Sequence, residues 1–198
     1  IVFMAAAFYL SAQTQPNRPV QEFSTNGGSL KITPIHHASL MIEAGGQVIQ
    51  IDPHSQGNYD GLPAADLILI TDIHGDHMDP KAIEKVRKSG TLVIAPKAVV
   101  DKGVDATILN NGETKKIGKW TIEAVPMYNL TRGPSEGKLY HDKGRGNGHV
   151  LTYGGKKIYI AGDTEGIPEM RALKAIDIAF IPMNLPYTMT PQEAADAV

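Results

Sequence analysis

The sequence predicts an α/β domain whose two similar halves set one β-sheet against another, with helices on the outside. The first sign is a β-α-β unit: the apolar run Leu67-Ile68-Leu69-Ile70, a helical pattern opening at Pro80, and a further strand over Thr91 to Ala95. The second is a repeated arrangement of hairpin, apolar strand and acid. One copy ends at Asp72, and the other ends at Asp163 in Ala161-Gly162-Asp163-Thr164. With 198 residues, 42% of them hydrophobic, the chain is long enough for one domain with a real core.

In chain order, Ile1 to Leu10 is uninterrupted apolar sequence followed by Ser11-Ala12. Ten such residues are too few to span a bilayer and match the h-region of a signal peptide, so residues 1–12 read as a leader remnant and the protein as exported, periplasmic or secreted. A short buried helix is the alternative. Residues 13–28 read as a linker and 29–198 as the domain. Leu30-Lys31-Ile32 begins a strand. Ser39 to Glu43 and Gln47 to Asp52 flank Ala44-Gly45-Gly46, a hairpin by its turn residues. The run Leu67 to Ile70 suits a strand covered on both faces. Asp79 is the N-cap and Pro80 the first position of a helix that continues through Val86 and ends at Ser89-Gly90. Strands follow at Ala106 to Leu109 and Trp120 to Val125, joined by Asn110-Asn111-Gly112. A long loop covers Met127 to Asn147, and a second hairpin, His149 to Tyr153 with Lys156 to Ile160, turns on Gly154-Gly155. A short helix over Pro168 to Lys174, a strand over Ile176 to Ile181 and a capping box, Thr190-Pro191-Gln192-Glu193, complete the chain.

The chemistry concentrates in Thr71-Asp72-Ile73-His74-Gly75-Asp76-His77-Met78-Asp79, between the buried strand and the helix. Three carboxylates and two imidazoles within eight residues would repel one another and lose hydration unless a cation joined them. Asp79 reads as a capping acid, whereas Asp72, His74, Asp76 and His77 suit Zn, Mn or Fe. In extended backbone Asp72 and His74 project to the same side, and His77, beyond the Gly75 bend, faces a second ion.

T-D-I-H-G-D-H resembles the H-x-H-x-D-H signature of the metallo-β-lactamase superfamily, with aspartate for the first histidine. Gly162-Asp163-Thr164 resembles its second metal motif. Ile35-His36-His37-Ala38-Ser39-Leu40 and Ile51-Asp52-Pro53 are similar to the branch that contains ascorbate-6-phosphate lactonase and many metal-dependent hydrolases. The resemblance implies a four-layer αββα sandwich and two divalent ions, Zn2+ or Mn2+, with Fe2+ a third candidate. Asp72, His74 and His141 would hold the first ion, Asp76 and His77 the second, with Asp163 bridging. His149 is the rival of His141. The implied reaction is attack of metal-bound hydroxide on a lactone, an ester or amide, or a phosphoester. Catalytic roles fall to Asp76 and His37; Asp52, Asn184 and Tyr187 are substrate-contact candidates, with structural hydrogen bonding the alternative for His37 and Asp52. The family's last histidine ligand has no counterpart before Val198. The sequence is therefore read as a fragment at both ends, or as a member with an incomplete second site.

A net charge of −2 with interspersed signs gives no nucleic-acid footprint, and no segment suits stable membrane insertion, leaving a small-molecule substrate. The absence of cysteine excludes disulfides, thiolate zinc and a thiol nucleophile. No G-x-S-x-G stands at a strand-to-helix turn, since Gly133-Pro134-Ser135-Glu136-Gly137 falls within the long loop, and there is no Walker-A lysine. Arg132, Lys138 and Arg145 in the long loop would either meet a substrate phosphate or carboxylate or form a solvated charged loop. A phosphodiesterase or phospholipase of the same fold and a non-catalytic metal- or partner-binding module are the competing functions.

Overall fold

The structure is a computed structural model that describes residues 18–198; the segment 1–12 read as a leader lies outside the described residues. Seven strands form one sheet: β1 (Gln21–Thr25), β2 (Gly28–His36), β3 (Ser39–Ala44), β4 (Gln47–Ile51), β5 (Ala65–Leu69), β6 (Arg87–Ala95) and β7 (Thr107–Ile108), adjacent in chain order. The first four pair antiparallel and the last three join parallel, with helix α1 (Pro80–Val86) crossing from β5 to β6. The second sheet takes β8 (Thr114–Ile117), β9 (Trp120–Met127), β10 (Gly146–Tyr153), β11 (Lys156–Ile160) and β12 (Ile178–Phe180), again in sequential order. Helix α2 (Lys97–Val100) follows β6, α3 (Pro168–Arg171) follows β11, and α4 (Pro191–Ala197) closes the described chain.

Alternation along β5 shows how the layers form. Leu67 and Leu69 enter the core between the sheets, whereas Ile68 and Ile70 pack on the opposite face with Ile83 and Val86 of α1. From the second sheet, Trp120, Ile122, Leu151 and Ile158 meet the central core, while Val150 and Tyr159 on the other face receive Met170 and Ala194 from α3 and α4. The result is helix, sheet, sheet, helix: the expected αββα sandwich.

Several boundaries differ from the expectation. The linker read over 13–28 is in part an edge hairpin, β1 on β2. It forms because Phe23 packs against the central core and the Tyr153 hydroxyl donates to Gly27 O at 2.7 Å. Helix α1 stops at Val86, its last buried residue, and Arg87 is already extended; Gly90, at φ +83°, lies inside β6 instead of capping the helix. Asn110-Asn111-Gly112 does not join two paired strands, because β8 intervenes and starts the second sheet.

Candidate metal centre

The predicted ligands come from the loops that follow β5 and β11 and from the long loop between β9 and β10. Beyond β5 the chain runs through Thr71 to His77 and re-enters order at α1. There the Asp79 carboxylate accepts from Lys81 N at 2.9 Å and Ala82 N at 3.3 Å, the capping role read from the sequence. Asp163 follows β11, and His141 comes from the long loop between β9 and β10. Gly162 turns at φ +65°, and a Cβ there would stand 2.6 Å from Met127 Sδ, so the approach to Asp163 needs glycine.

The ligand atoms of Asp72, His74 and His141 lie within 4.8 Å of one another, as do those of Asp76, His77 and Asp163. His74 Nδ1 is 2.9 Å from Asp72 Oδ2. Asp163 Oδ2 stands 3.4 Å from His77 Nε2 and 3.3 Å from His141 Nε2, between the two groups. Ligands about 2.0–2.2 Å from a common ion are themselves roughly 3.0–3.5 Å apart, so these spacings match the edges of a coordination shell. His77 Nε2 is buried and has no hydrogen-bond partner. Left so it would be a costly orphan; facing two carboxylates, it suits a cation.

A sequence profile described as the beta-lactamase superfamily domain matches residues 31–198. This chain belongs to the metallo-β-lactamase superfamily. It is 32% identical over 180 residues to a UPF0173 metal-dependent hydrolase of Geobacillus thermodenitrificans, covering 85% of this chain and 79% of that protein. A putative metal-dependent hydrolase from Parabacteroides distasonis superposes with a TM-score of 0.85 at 49% identity, covering 91% of this chain and 82% of that one. Igni18, a metallo hydrolase from Ignicoccus hospitalis, follows the same fold with a TM-score of 0.68 at 27% identity, covering 85% and 76%.

The surroundings of the candidate ligands hold them in place. Asp52, a substrate-contact candidate with structural hydrogen bonding the alternative, borders the cavity but has both oxygens engaged behind His77. Oδ2 is 2.8 Å from His77 Nδ1 and accepts from Thr71 Oγ1 at 2.6 Å, while Oδ1 accepts from Thr71 N at 2.8 Å. It therefore orients the imidazole. Burial raises the Asp52 carboxyl. Burial would lower His77, but the Asp52 and Asp163 carboxylates outweigh it and raise the imidazole well above its ordinary value. Positive charge is thus drawn to the place where an ion would supply it. Asp163 is likewise opposed by burial, yet His141 and His77 hold it well below the carboxylate range. Asn129 Oδ1 lies 2.6 Å from His141 Nδ1 and accepts His141 N at 2.8 Å, fixing that ring as Asp52 fixes His77.

His37, at φ +50°, places Nε2 3.1 Å from Asp76 Oδ2 on the wall of a cavity of about 450 Å3. Asn184 also lines that cavity; Tyr187 does not, its ring packing on Tyr140 at 4.9 Å. His149 is not brought to the centre. Paired with Ala124 and Ile160 of the central core, it faces the space between the two sheets, fully buried, with neither ring nitrogen hydrogen-bonded. Two of the loop cations are spent on carboxylates. Arg132 bridges Glu165 and Glu193, and Arg145 grips Asp72 through two hydrogen bonds of 3.0 and 2.9 Å. Lys138 is exposed and does not line the cavity. Thr71, Asn129 and Arg145 as partners of the ligands escaped the sequence reading. An aspartate buried in a metal motif does signal the need for a cation, but not which one.

Proposed function

We propose that the chain, a metal-dependent hydrolase by family, cleaves a carboxylic ester, lactone or amide of a small molecule at a centre of two Zn2+ or Mn2+ ions. Asp72, His74 and His141 would hold one ion and Asp76 and His77 the other, with Asp163 shared between them. The observation that carries the reading is the convergence of these six side chains, from loops far apart in sequence, in two groups that meet at Asp163, with His77 Nε2 unpartnered. When bound, such ions polarise a carbonyl and lower the pKa of water from 15.7 to about 7. Asp52 and Thr71 hold His77 with Nε2 presented, and Asn129 does the same for His141. His37 Nε2, beside Asp76 and on the cavity wall, is placed to pass a proton to the leaving oxygen or nitrogen.

Carbonyl substrates are favoured over phosphoesters by the lining of the cavity. Leu40, Ile160, Phe180, Ile181 and Met183 form its apolar side, and among the described residues no lysine or arginine lines it. The test compares p-nitrophenyl butyrate with bis(p-nitrophenyl) phosphate on metal-loaded protein. We expect ester turnover that a chelator abolishes and Mn2+ or Zn2+ restores. His74→Ala should lose uptake at the Asp72/His74/His141 position, and turnover with it. Activity that survives both treatments would refute the metal assignment; preference for the phosphodiester would move the substrate to the competing class.

A further inference from the structure

Arg145 is the one cation in direct contact with a candidate ligand among the described residues. Its Nε donates to Asp72 Oδ1 at 3.0 Å and its Nη2 to Asp72 Oδ2 at 2.9 Å, while Nη1 is held by Tyr140 O at 2.9 Å. The backbone beside it is equally fixed. Asn147 N donates to Thr71 O at 2.9 Å, and a Cβ on Gly146 would stand 2.9 Å from that same Thr71 oxygen. The guanidinium is therefore locked to the segment that carries Asp72, and Asp72 is wholly buried.

The charge balance of the two positions then differs. Asp72 with Arg145 sums to zero, the charge of a neutral imidazole, and His74 and His141 add none. The neighbouring position has Asp76 and a His77 backed by Asp52, and Asp163 counts equally for both. A guanidinium forked on a carboxylate also competes for the lone pairs an ion would use, and its positive charge opposes a dication one carboxylate away.

We propose that Arg145 is a positioning residue that weakens the Asp72/His74/His141 position, so that the centre loads in order. Asp76, His77 and Asp163 take the first ion tightly, and the second ion binds more loosely. This rests on the metal-binding reading above.

The test is calorimetric titration of the chelator-stripped protein with MnCl2, with circular dichroism melts as a check of folding. The wild type should show two events whose dissociation constants differ by about tenfold or more. Arg145→Met should tighten the second event by about tenfold and leave the first unchanged. An unchanged second event, or a parallel weakening of both, would make Arg145 merely structural and overturn the inference. Because Arg145→Met leaves a buried carboxylate without its partner, a second pair of variants guards the test. Asp72→His alone should lose the second event, since the new imidazole faces an unpaired guanidinium, and Asp72→His/Arg145→Met should regain it. Equal binding by these two variants would also overturn the inference. A wild type that takes up no ion at all would refute the proposed function and this inference with it; two ions bound with an indifferent Arg145 would refute this inference alone.

Discussion

At the scale of single residues, the groups that hold the ligands are as specific as the ligands. Asp52 meets His77 at 2.8 Å, and Asn129 meets His141 at 2.6 Å. Replacing such partners of metal-bound histidines lowers metal affinity by about 10–100-fold. Asn129→Leu should therefore weaken Mn2+ binding by that factor, and lower the melting temperature of the metal-free protein as well, because it also leaves the buried His141 N without its acceptor. Asp72 is the clearest case of competing effects. Burial would raise its carboxyl, but hydrogen bonds from His74 and Arg145, with the charge of Arg145, bring it down to about 2. That charge is legible in the sequence only as an aspartate in an unexpected place. Its partner lies 73 residues away in a loop rich in other cations, and no local pattern singles Arg145 out.

Among the elements, β10 carries a buried histidine that the chemistry does not use. Burial pushes His149 from 6.5 down to about 4, so it is neutral in the fold, while in the unfolded chain it takes up a proton near pH 6.5. The unfolded state then binds more protons between those values, and stability falls as pH drops from about 6.5 to 4. At 1.36 kcal/mol per unit the loss from this group is roughly 3 kcal/mol. Urea unfolding of the wild type and His149→Leu should therefore converge or cross by that order between pH 7 and 4. The turn before Asp163 is a second stress point. At φ +65°, with Met127 in the way, Gly162→Ala should destabilise by about 1–3 kcal/mol and lower metal affinity as Asp163 is displaced, both measurable on one preparation. Paired glycines made both hairpins readable, and Asp79-Pro80 and Thr190-Pro191 marked two helix starts. The strands β1 and β8 were not readable. The segments Gln21–Thr25 and Thr114–Ile117 are mostly polar, and only pairing with a neighbour makes strands of them.

Across the whole molecule, two sheets each deliver their ligands to the same rim: Asp72, His74, Asp76 and His77 from the first, His141 and Asp163 from the second. Metal bound there would tie the sheets together, so at a hundred times its dissociation constant it should stabilise the fold by about 2.7 kcal/mol, seen as a melting temperature that falls with chelator. The two acids at strand ends were visible in the sequence because each follows an apolar strand, although Asp163 leaves the second strand of its hairpin and Asp72 leaves β5, which joins its hairpin in parallel. That they meet was not, since it depends on how the sheets stack around Trp120, Ile122 and Leu151. The most direct measurement is the metal-to-chain ratio, by elemental mass spectrometry after dialysis against excess Mn2+, for the wild type and Asp163→Ala. The shared position of Asp163 predicts close to two ions in the wild type and less than half an ion in the variant. A wild type without metal, or a variant that retains the full complement, would contradict it.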